Sequence, residues 1–282
     1  FFQKYEPTFR RFLNETVGVQ LNISFDIVPL GFDEIPHAVG NRTIDFLFTN
    51  PSMYNCMDSE FLLSPMVSLR NLQLGEELNK FGGVVITASG RTGITSLYDL
   101  KDQVVEGVSI SGLGAFQMQW GLMQEMGVNL MVETSAVRFA YNQKQIVRDV
   151  ISGEVDAGFV RTGLMEGMAV SGLINMSDWS LGALSHVPAE VTKEVAVALM
   201  GLNSTHYASQ AGGYSTWDSA LSYTGLRSLQ VSLGILDDDT GTCIDATNYY
   251  DGVKCPTGYY KVSHEEATSR CTEYGGRLWL QV

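Results

Sequence analysis

The chain has 282 residues, of which 45% are hydrophobic and 17% are charged, and its formal net charge is −13. This length and hydrophobic content are sufficient for two folded units with cores of their own. The acidic balance argues against nucleic acid or an anionic membrane surface as a partner, because both require clustered Lys and Arg side chains.

The start of the chain gives one further expectation. No apolar run approaches the roughly 20 residues that are needed to cross a bilayer. The chain opens on Phe-Phe-Gln-Lys, without the pattern of a signal peptide. We therefore expect Phe1 to be an internal cut from a longer precursor.

Apolar periodicity predicts alternating helices and strands along most of the chain. In the first part the predicted elements are a helix at 5–13, a strand at 22–30, a short helix at 32–39, a strand at 44–48, a helix at 50–57 and a strand at 62–69. The prediction continues with a strand at 82–87, a helical turn at 96–100, a strand at 104–110, a helix at 115–126, a strand at 130–137, a helix at 142–151, a strand at 155–160, a helix at 162–170, an extended stretch at 173–187, and helices at 188–202 and 224–233. This alternation predicts an α/β protein with largely parallel sheets.

An arginine, Arg161, stands where the strand at 155–160 ends. In open α/β sheets, ligands bind beyond the carboxyl ends of the strands. A guanidinium at this position is a planar donor suited to carboxylates, phosphates, sulfonates and similar oxyanions. The alternative is an ordinary surface ion pair between Arg161 and a neighbouring Asp or Glu.

Three strand-to-helix junctions combine hydroxyl groups or glycines with the start of a helix. They contain Thr49, Asn50 and Ser52; Ser111, Gly112 and Gly114; and Arg161 with Thr162. Free backbone N–H groups and the positive end of the helix dipole favour anions at such junctions. Tyr141 and Gln143, near the start of the helix at 142–151, are further candidates. Ordinary helix caps are the alternative at each of these positions.

Signals for catalysis are weak. The sequence contains no G-x-S-x-G or H-E-x-x-H motif, and Gly112-x-Gly114 is not a dinucleotide fingerprint because residue 117 is Gln117. Ser215, Asp218 and His206 form a triad only on paper. We therefore expect no enzymatic activity, no cofactor and no metal.

Cysteines are concentrated near the end of the chain, at Cys243, Cys255 and Cys271. A short, cysteine-dense segment with few aliphatic residues predicts a disulfide-rich module in an oxidising compartment. Because three cysteines cannot all pair with one another, the remaining partner is Cys56 or lies beyond Val282. A zinc site is the alternative, although the spacing contains no C-x-x-C.

Sequons for N-glycosylation occur at Asn14, Asn22, Asn41, Asn175 and Asn203. Together with the cysteine-rich tail, they favour an extracellular or cell-surface glycoprotein of eukaryotic type.

Several motifs occur together in an order that resembles a known family. They are I-D-F-L-F-T-N-P at 44–51 with Tyr54, G-G-V at 82–84, Gly112-x-x-x-Phe116-Gln117 with Trp120, the stretch at 152–162, H-V-P at 186–188, and A-G-G-Y at 211–214 with Trp217. Over roughly residues 1–236, the sequence resembles the phosphate/phosphite/phosphonate-type (PhnD-like) periplasmic solute-binding proteins. It is most similar to the subgroup that serves as sensor domains of membrane receptors, including bacterial histidine kinases of the tetrathionate-sensor type.

The resemblance implies a type II periplasmic-binding-protein fold, with two α/β lobes joined by a two-crossover hinge. Lobe one would comprise residues 1–84 and 187–236, lobe two would comprise residues 85–186, and the family's first strand would precede Phe1. Residues 237–282 would form a small disulfide-rich linker or stalk. This tail resembles the start of an ephrin-receptor or epidermal-growth-factor-like repeat.

The resemblance also implies a set of ligand contacts. They are Thr49, Asn50 and Tyr54 in lobe one, and Ser111 to Gln117 (with Gly112, Gly114 and Phe116), Tyr141 to Gln143, and Arg161 with Thr162 in lobe two. Arg161 replaces the acidic residues with which phosphonate binders hold an aminoalkyl group, and Gln143 stands where related sensors often have histidine. A simple oxyanion or carboxylate is therefore favoured over an aminoalkylphosphonate.

We expect the chain to be the extracellular sensor domain of a membrane receptor. A small anion (a phosphonate, phosphate-like ion, sulfur oxyanion or carboxylate) would bind in a cleft between the lobes, and closure would signal to a membrane effector in the same full-length chain. The alternative is a transport-associated binding protein that delivers an oxyanion or phosphonate to an ABC permease. An adhesion or structural module that has lost its ligand and a transferase of the same fold are further alternatives.

Overall fold

The computed structural model describes residues 2–31, 34–73, 75–165 and 179–243, together with three short strands nearer the C-terminus. The chain forms two compact units. Unit 1 comprises Phe1–Phe81 and Met165–Arg227, and unit 2 comprises Gly82–Leu164 and Ser228–Val282. These boundaries differ from those of the predicted lobes, because the strand at 180–183 belongs to unit 1 and residues 228–236 belong to unit 2.

Helices and strands alternate along most of the described chain. The helices are α1 (Phe2–Glu6), α2 (Val19–Leu21), α3 (Ile35–Gly40), α4 (Pro51–Phe61), α5 (Met118–Glu125), α6 (Leu130–Glu133), α7 (Gln143–Ser152), α8 (Ala189–Met200), α9 (Tyr207–Gly212) and α10 (Thr224–Ser232), with π-helical turns at Pro7–Phe12, Asn14–Gly18 and Leu113–Gln117 and a 3₁₀ turn at Leu97–Leu100. The strands are β1 (Phe46–Thr49), β2 (Ser64–Gln73), β3 (Glu76–Leu78), β4 (Gly83–Ile86), β5 (Val104–Gly107), β6 (Ala136–Phe139), β7 (Ala157–Arg161), β8 (Ser180–Ala183), β9 (Tyr214–Ser219), β10 (Val253–Cys255), β11 (Gly258–Tyr259) and β12 (Trp279–Leu280). Within the described residues, none of these helices has the length and apolar character that a bilayer span requires.

The sheet of unit 1 is antiparallel throughout its described strands. β8 lies between β1 and β2, and β2 also pairs with β3 and β9. The prediction of largely parallel sheets is therefore wrong for this unit. A regular order of strands and helices does not determine which strands become neighbours. Here β8 comes from far along the chain and enters the sheet between two earlier strands.

Two predicted strands differ from the described structure. Residues 22–30 form no strand, and the Asn14 side chain bonds instead to both the N–H and the C=O of Phe25, at 2.7 Å each. A side chain thus takes the place of a neighbouring strand. Residues 130–137 begin as α6, and the strand there is β6. Most of the predicted helix at 162–170 lies outside the described residues.

An aromatic cluster packs the first helical segment onto the unit 1 sheet. The rings of Tyr5 and Phe9 lie 5.0 Å and 4.9 Å from the ring of Phe48 on β1, and Phe9 lies 5.7 Å from Trp217 on β9. Burial of side chains of this size contributes on the order of 1.5–3 kcal/mol each. The predicted helix at 5–13 is confirmed as part of a longer helical segment, whose apolar side this cluster covers.

The sheet of unit 2 is mixed. β5 lies between β6 and β7 and is parallel to both, whereas β4 is antiparallel to β7. Beyond β6 the sheet continues through β11 and β10 to β12. On one face, the ring of Phe116 lies 4.8 Å from Phe139 and 6.2 Å from Phe159. On the other face, Ile146 and Val150 of α7 pack directly over Gly158 of β7.

Replacement of Gly158 by alanine tests this close packing of α7. A Cβ atom at residue 158 would lie 2.5 Å from Cγ2 of Ile146 and 2.9 Å from Cγ2 of Val150. We expect Gly158→Ala to lower the free energy of unfolding by about 1–3 kcal/mol through overpacking. Urea denaturation followed by circular dichroism measures this change.

The matched control is Gly225→Ala in α10. A Cβ atom there meets nothing within 4 Å, and alanine favours a helix over glycine by up to about 1 kcal/mol. The control should therefore unfold at the same or a higher urea concentration than the wild type. A Gly158→Ala midpoint equal to that of the wild type would contradict the packing described here.

Candidate ligand-binding site

The junction between β1 and α4 is the unit 1 part of the predicted site. Asn50 has an extended backbone, with φ −64° and ψ 154°, and its Oδ1 accepts a hydrogen bond of 3.1 Å from the N–H of Met53. Pro51 is the first helical residue. Asn50 therefore caps α4, as the ordinary-cap alternative for this junction expects. Thr49 and Ser52 beside it are each 1% exposed.

A row of hydroxyl groups crosses the unit 1 sheet at the end of β1. Thr49 is paired in register with Ser180 of β8, and Ser180 is paired with Ser68 of β2. The Oγ atoms of Ser68 and Ser180 are 3.1 Å apart, and the hydroxyl of Tyr223 is in hydrogen-bond contact with that of Ser180. Ser68 also accepts a hydrogen bond of 3.2 Å from the N–H of Leu221. This row places neutral hydrogen-bonding groups beside the predicted residue Thr49.

Sequence reasoning missed Ser68, Ser180 and Tyr223. Their local patterns carry no signal, because a serine within a strand is common. Only the register of strands that are distant in sequence brings Ser68 and Ser180 to Thr49, and Tyr223 reaches them through its hydroxyl contact with Ser180.

Tyr54 lies on α4 above the same part of the sheet. The side chain is fully buried, and its ring lies 5.5 Å from that of Tyr223. Gly182 leaves room for it, since a Cβ there would lie 2.6 Å from the Tyr54 ring. Burial, with smaller effects of Asp58 and Tyr223, raises the pKa of Tyr54 well above its ordinary value. The phenol therefore stays protonated as a donor, and within the described residues its oxygen has no hydrogen-bond partner.

The variant Tyr54→Phe tests whether the Tyr54 hydroxyl stabilises the ligand-free fold. A buried hydroxyl without a partner costs about 1–3 kcal/mol. We therefore expect Tyr54→Phe to raise the free energy of unfolding of the ligand-free protein by about 1 kcal/mol. The comparison is Tyr214→Phe, because the Tyr214 hydroxyl is also buried but lies 2.7 Å from Oγ1 of Thr8. The free energy of unfolding of Tyr214→Phe should therefore fall by about 1–2 kcal/mol. Urea unfolding measures both, and destabilisation by Tyr54→Phe would show that its hydroxyl has a structural partner.

In unit 2, the loop before α5 is shaped by close backbone packing. The N–H of Gly112 donates to the C=O of Ser109, and the N–H of Gln117 donates to the C=O of Gly112, both at 3.0 Å. A Cβ atom at residue 112 would lie 2.3 Å from Cγ1 of Val108, so glycine is required there by the fold. The hydroxyls of Ser109 and Ser111 are 3.1 Å apart.

Two of the predicted contacts in this loop face the interior. Phe116 is fully buried in the aromatic cluster of unit 2. Gln117 is also fully buried, and its Nε2 donates to the C=O of Ile110 at 2.8 Å. Gly114 is buried and its carbonyl accepts a hydrogen bond of 2.9 Å from Gln119. The structure therefore gives Phe116 and Gln117 a role in shaping the loop.

Arg161 is the last residue of β7 and is only 5% exposed. Arg161 is therefore buried and does not lie on the surface. Its backbone N–H donates to Oε1 of Gln143 at 3.0 Å, and its Nη1 donates to the C=O of Thr162 at 3.2 Å. Thr162 exchanges two further hydrogen bonds with Gly82, both of 2.9 Å. The two predicted residues Arg161 and Gln143 are thus brought together.

The segment that precedes α7 lies beside the loop. Tyr141 has a left-handed backbone, with φ 56°, and is 55% exposed. Its N–H donates to the C=O of Val108 at 2.9 Å. Asn142 is the helix cap, because its Oδ1 accepts from the N–H of Lys144 at 2.9 Å. In unit 2 the structure therefore assembles the loop at 109–117, the start of α7 and the end of β7 into one region.

An acidic pair lies next to this region, formed by the buried Glu106 and the half-buried Asp149 of α7. Glu106 of β5 is 6% exposed and lies in register between Arg138 of β6 and Gly158 of β7. Burial, followed by repulsion from Asp149 of α7, raises the pKa of the Glu106 carboxyl to about 7. Arg138 lowers the pKa of Glu106, and Glu154 raises it slightly.

The acidic pair predicts a loss of stability between pH 5 and pH 8. The pKa of Glu106 is higher in the folded protein than in the unfolded chain, so its contribution is fully present below about pH 4.5 and is lost as the pH rises through about 7. Glu106→Gln should remove this dependence, which is on the order of 2–3 kcal/mol between pH 5 and pH 8. Unfolding measured at a series of pH values tests the prediction. A wild-type profile that matches that of Glu106→Gln would contradict it.

The predicted glycosylation sites differ in their surroundings. Both hydrogens of the Asn14 amide have backbone acceptors, the carbonyls of Arg10 and Phe25. Oδ1 of Asn203 accepts from the N–H and the hydroxyl of Thr205, at 3.0 Å and 2.6 Å. Asn22 and Asn41 are exposed, and Asn175 lies outside the described residues. Glycosylation stays a prediction.

The cysteines are described only in part. Cys56 and Cys243 are each in a disulfide bond. The side chains of Cys255 and Cys271 lie outside the described residues. The pairing of these residues therefore stays a prediction.

Solved structures with the same fold are solute-binding proteins. PhnD1 from Prochlorococcus marinus in complex with methylphosphonate has a TM-score of 0.62 and 13% identity, over 79% of this chain and 91% of that chain. A Xanthomonas citri protein bound to ATP has a TM-score of 0.66 and 11% identity, over 82% of this chain and 91% of that chain. A binding protein component of an ABC phosphonate transporter from Pseudomonas aeruginosa has a TM-score of 0.60 and 10% identity, over 82% of this chain and 84% of that chain. The predicted type II periplasmic-binding-protein fold is confirmed.

The family follows from the sequence. The family model described as ABC transporter, phosphonate, periplasmic substrate-binding protein matches residues 3–228. The chain belongs to this family, and its compartment is accordingly extracellular or periplasmic.

A curated relative is the tetrathionate sensor histidine kinase TtrS of Salmonella typhimurium. It is 26% identical over 168 residues, which are 59% of this chain and 28% of the kinase. The chain thus spans little more than a quarter of the length of this relative. The resemblance to the sensor subgroup gains support from this match. The ephrin-receptor or epidermal-growth-factor-like start lies beyond the residues that the family model matches and stays a prediction.

Proposed function

We propose that this chain is the ligand-binding domain of a membrane-linked sensor and that it recognises a small anion. The observation that carries the proposal is the burial of Arg161 at the end of β7, next to Gln143 and the loop at 109–117. A guanidinium in such a position offers directed donors to an oxyanion.

The proposed ligand class is an oxyanion or carboxylate without a cationic group. Arg161 would repel an ammonium group, and no carboxylate is among the predicted contact residues. Methylphosphonate, which PhnD1 holds in its solved complex, is an anion of this class. Tetrathionate, in the name of the sensor kinase, is another.

We further propose that the domain binds its ligand without catalysis. The three residues of the hypothetical catalytic triad make separate structural contacts. Ser215 donates to the C=O of Arg70, Asp218 bonds to the guanidinium of Arg70, and His206 caps α9 through the N–H of Ala208. A nucleophile beside an oriented base, which acyl transfer requires, is therefore not formed by these residues.

The alternative is a transport-associated protein that delivers an anion to an ABC permease. The family description and the Pseudomonas aeruginosa structure favour it. The match to a sensor kinase and the cysteine-rich tail favour the sensor. Sequencing of the complete gene distinguishes the two. A membrane span followed by an effector segment supports the sensor, and a chain that ends soon after the matched residues supports the transporter.

Thermal unfolding with a panel of anions tests the proposed ligand class. The panel contains methylphosphonate, inorganic phosphate, tetrathionate and acetate, with 2-aminoethylphosphonate as the zwitterionic comparison. An anion present at 100 times its Kd stabilises the protein by about 2.7 kcal/mol. We expect at least one oxyanion to raise the Tm and the zwitterion to have less effect.

The variant Arg161→Gln should abolish the rise in Tm, whereas Arg161→Lys should keep a part of it, because lysine retains the charge and loses the planar pair of donors. Arg148→Gln is the control, since Arg148 is exposed on α7 of the same unit. A full ligand response in Arg161→Gln would remove Arg161 from the site. The absence of any response in the wild type would favour the adhesion or structural module.

A further inference from the structure

The amide of Gln119 connects three backbone segments of unit 2. Gln119 is the second residue of α5 and is 4% exposed. Its Nε2 donates to the carbonyl of Gly114 at 2.9 Å, and to those of Val84 on β4 and Val160 on β7, both at 3.1 Å. These carbonyls belong to the loop before α5 and to the two strands whose ends carry Gly82, Arg161 and Thr162.

The chemistry of this position requires an amide. Three carbonyl oxygens face one nitrogen that carries two hydrogens, so one hydrogen is shared between two acceptors. A carboxylate of the same shape would place negative charge against three acceptors. An apolar side chain would leave buried carbonyls without this donor.

A glycine keeps the space for the Gln119 amide. A Cβ atom at Gly83 would lie 2.5 Å from Nε2 and 2.6 Å from Cδ of Gln119. Gly83 is paired in register with Arg161. The absence of a side chain at residue 83 therefore lets the amide reach the strand pair at the point where Arg161 ends β7.

Burial of the Gln119 amide has a free-energy cost. Oε1 of Gln119 is buried and has no hydrogen-bond partner within the described residues. Such an acceptor costs about 1–3 kcal/mol. An apolar residue would avoid this cost but would lose the three bonds to the loop and the strands.

We propose that Gln119 is the positioning residue of the anion site in unit 2. It fixes the distance between the loop at 109–117 and the end of β7, so that the loop and the Arg161 guanidinium meet the same ligand. This inference rests on the proposed function, because it assumes that the loop and Arg161 bind one anion.

Hydrogen exchange in the ligand-free protein tests the positioning without reference to any ligand. In Gln119→Met, which keeps the length of the side chain, we expect amides at 109–117 and 160–162 to exchange about tenfold faster, which corresponds to ~1.4 kcal/mol of local opening. The control is Gln124→Met on the same helix, whose Nε2 donates to the carbonyl of Ser232 at 2.8 Å, away from the site. It should leave exchange at 109–117 unchanged.

A second pair of variants covers the case in which Gln119→Met does not fold. Gly83→Ala should displace the Gln119 amide and accelerate exchange in the same segments. Gly90→Ala is its control, because a Cβ atom there meets nothing within 4 Å. Unchanged exchange at 109–117 in both Gln119→Met and Gly83→Ala would overturn the inference. A uniform acceleration across unit 2 would also overturn it, since Gln119 would then be a general structural residue.

Titration calorimetry with methylphosphonate and inorganic phosphate connects the positioning to binding. Gln119→Met should raise the Kd for the bound anion about tenfold, while Gln124→Met should leave it unchanged. Faster loop exchange with an unchanged Kd would overturn the link to the ligand. If the wild type binds no anion, the proposed function fails, and the exchange experiment alone still decides whether Gln119 positions the loop.

Discussion

A buried guanidinium is the constraint on which unit 2 depends. Arg161 is 5% exposed at the end of β7, and a charge so far from water must be met by oriented dipoles or by an opposite charge. Its surroundings are accordingly rich in amides. Gln143 accepts a hydrogen bond from the backbone N–H of Arg161. The side chain of Gln119 connects the same strand to β4 and to the loop before α5. These neutral side chains fix the backbone around the guanidinium.

Unit 1 uses different chemistry at its corresponding junction. Thr49, Ser180 and Ser68 are aligned across three strands, and the phenols of Tyr54 and Tyr223 lie close by. Hydroxyl groups can both donate and accept hydrogen bonds, whereas the guanidinium of Arg161 can only donate them.

The sequence predicted the fold well, and the ligand contacts stay a prediction. Arg161 and Gln143 were both proposed from the sequence because strand ends and helix starts are visible as local patterns, and the structure places the two residues side by side. The hydroxyl row was missed, since it exists only in the register between strands that are distant in sequence. Phe116 and Gln117 follow the family motif, yet both are fully buried. A sequence motif therefore indicates the shape of a loop as readily as a ligand contact. The antiparallel sheet of unit 1 was missed for the same reason as the hydroxyl row, because β8 enters between β1 and β2 from far along the chain.

An acidic protein can hold an anion because the two effects of charge act over different distances. The net charge of −13 is spread over the surface, and salt at 0.15 M screens interactions between exposed charges beyond about 8 Å. It therefore slows the approach of an anion more than it weakens the bound state. A buried group such as Arg161 is screened much less, because little water or salt reaches it. In the proposed site, the affinity is consequently decided by the few groups within hydrogen-bond distance of the ligand.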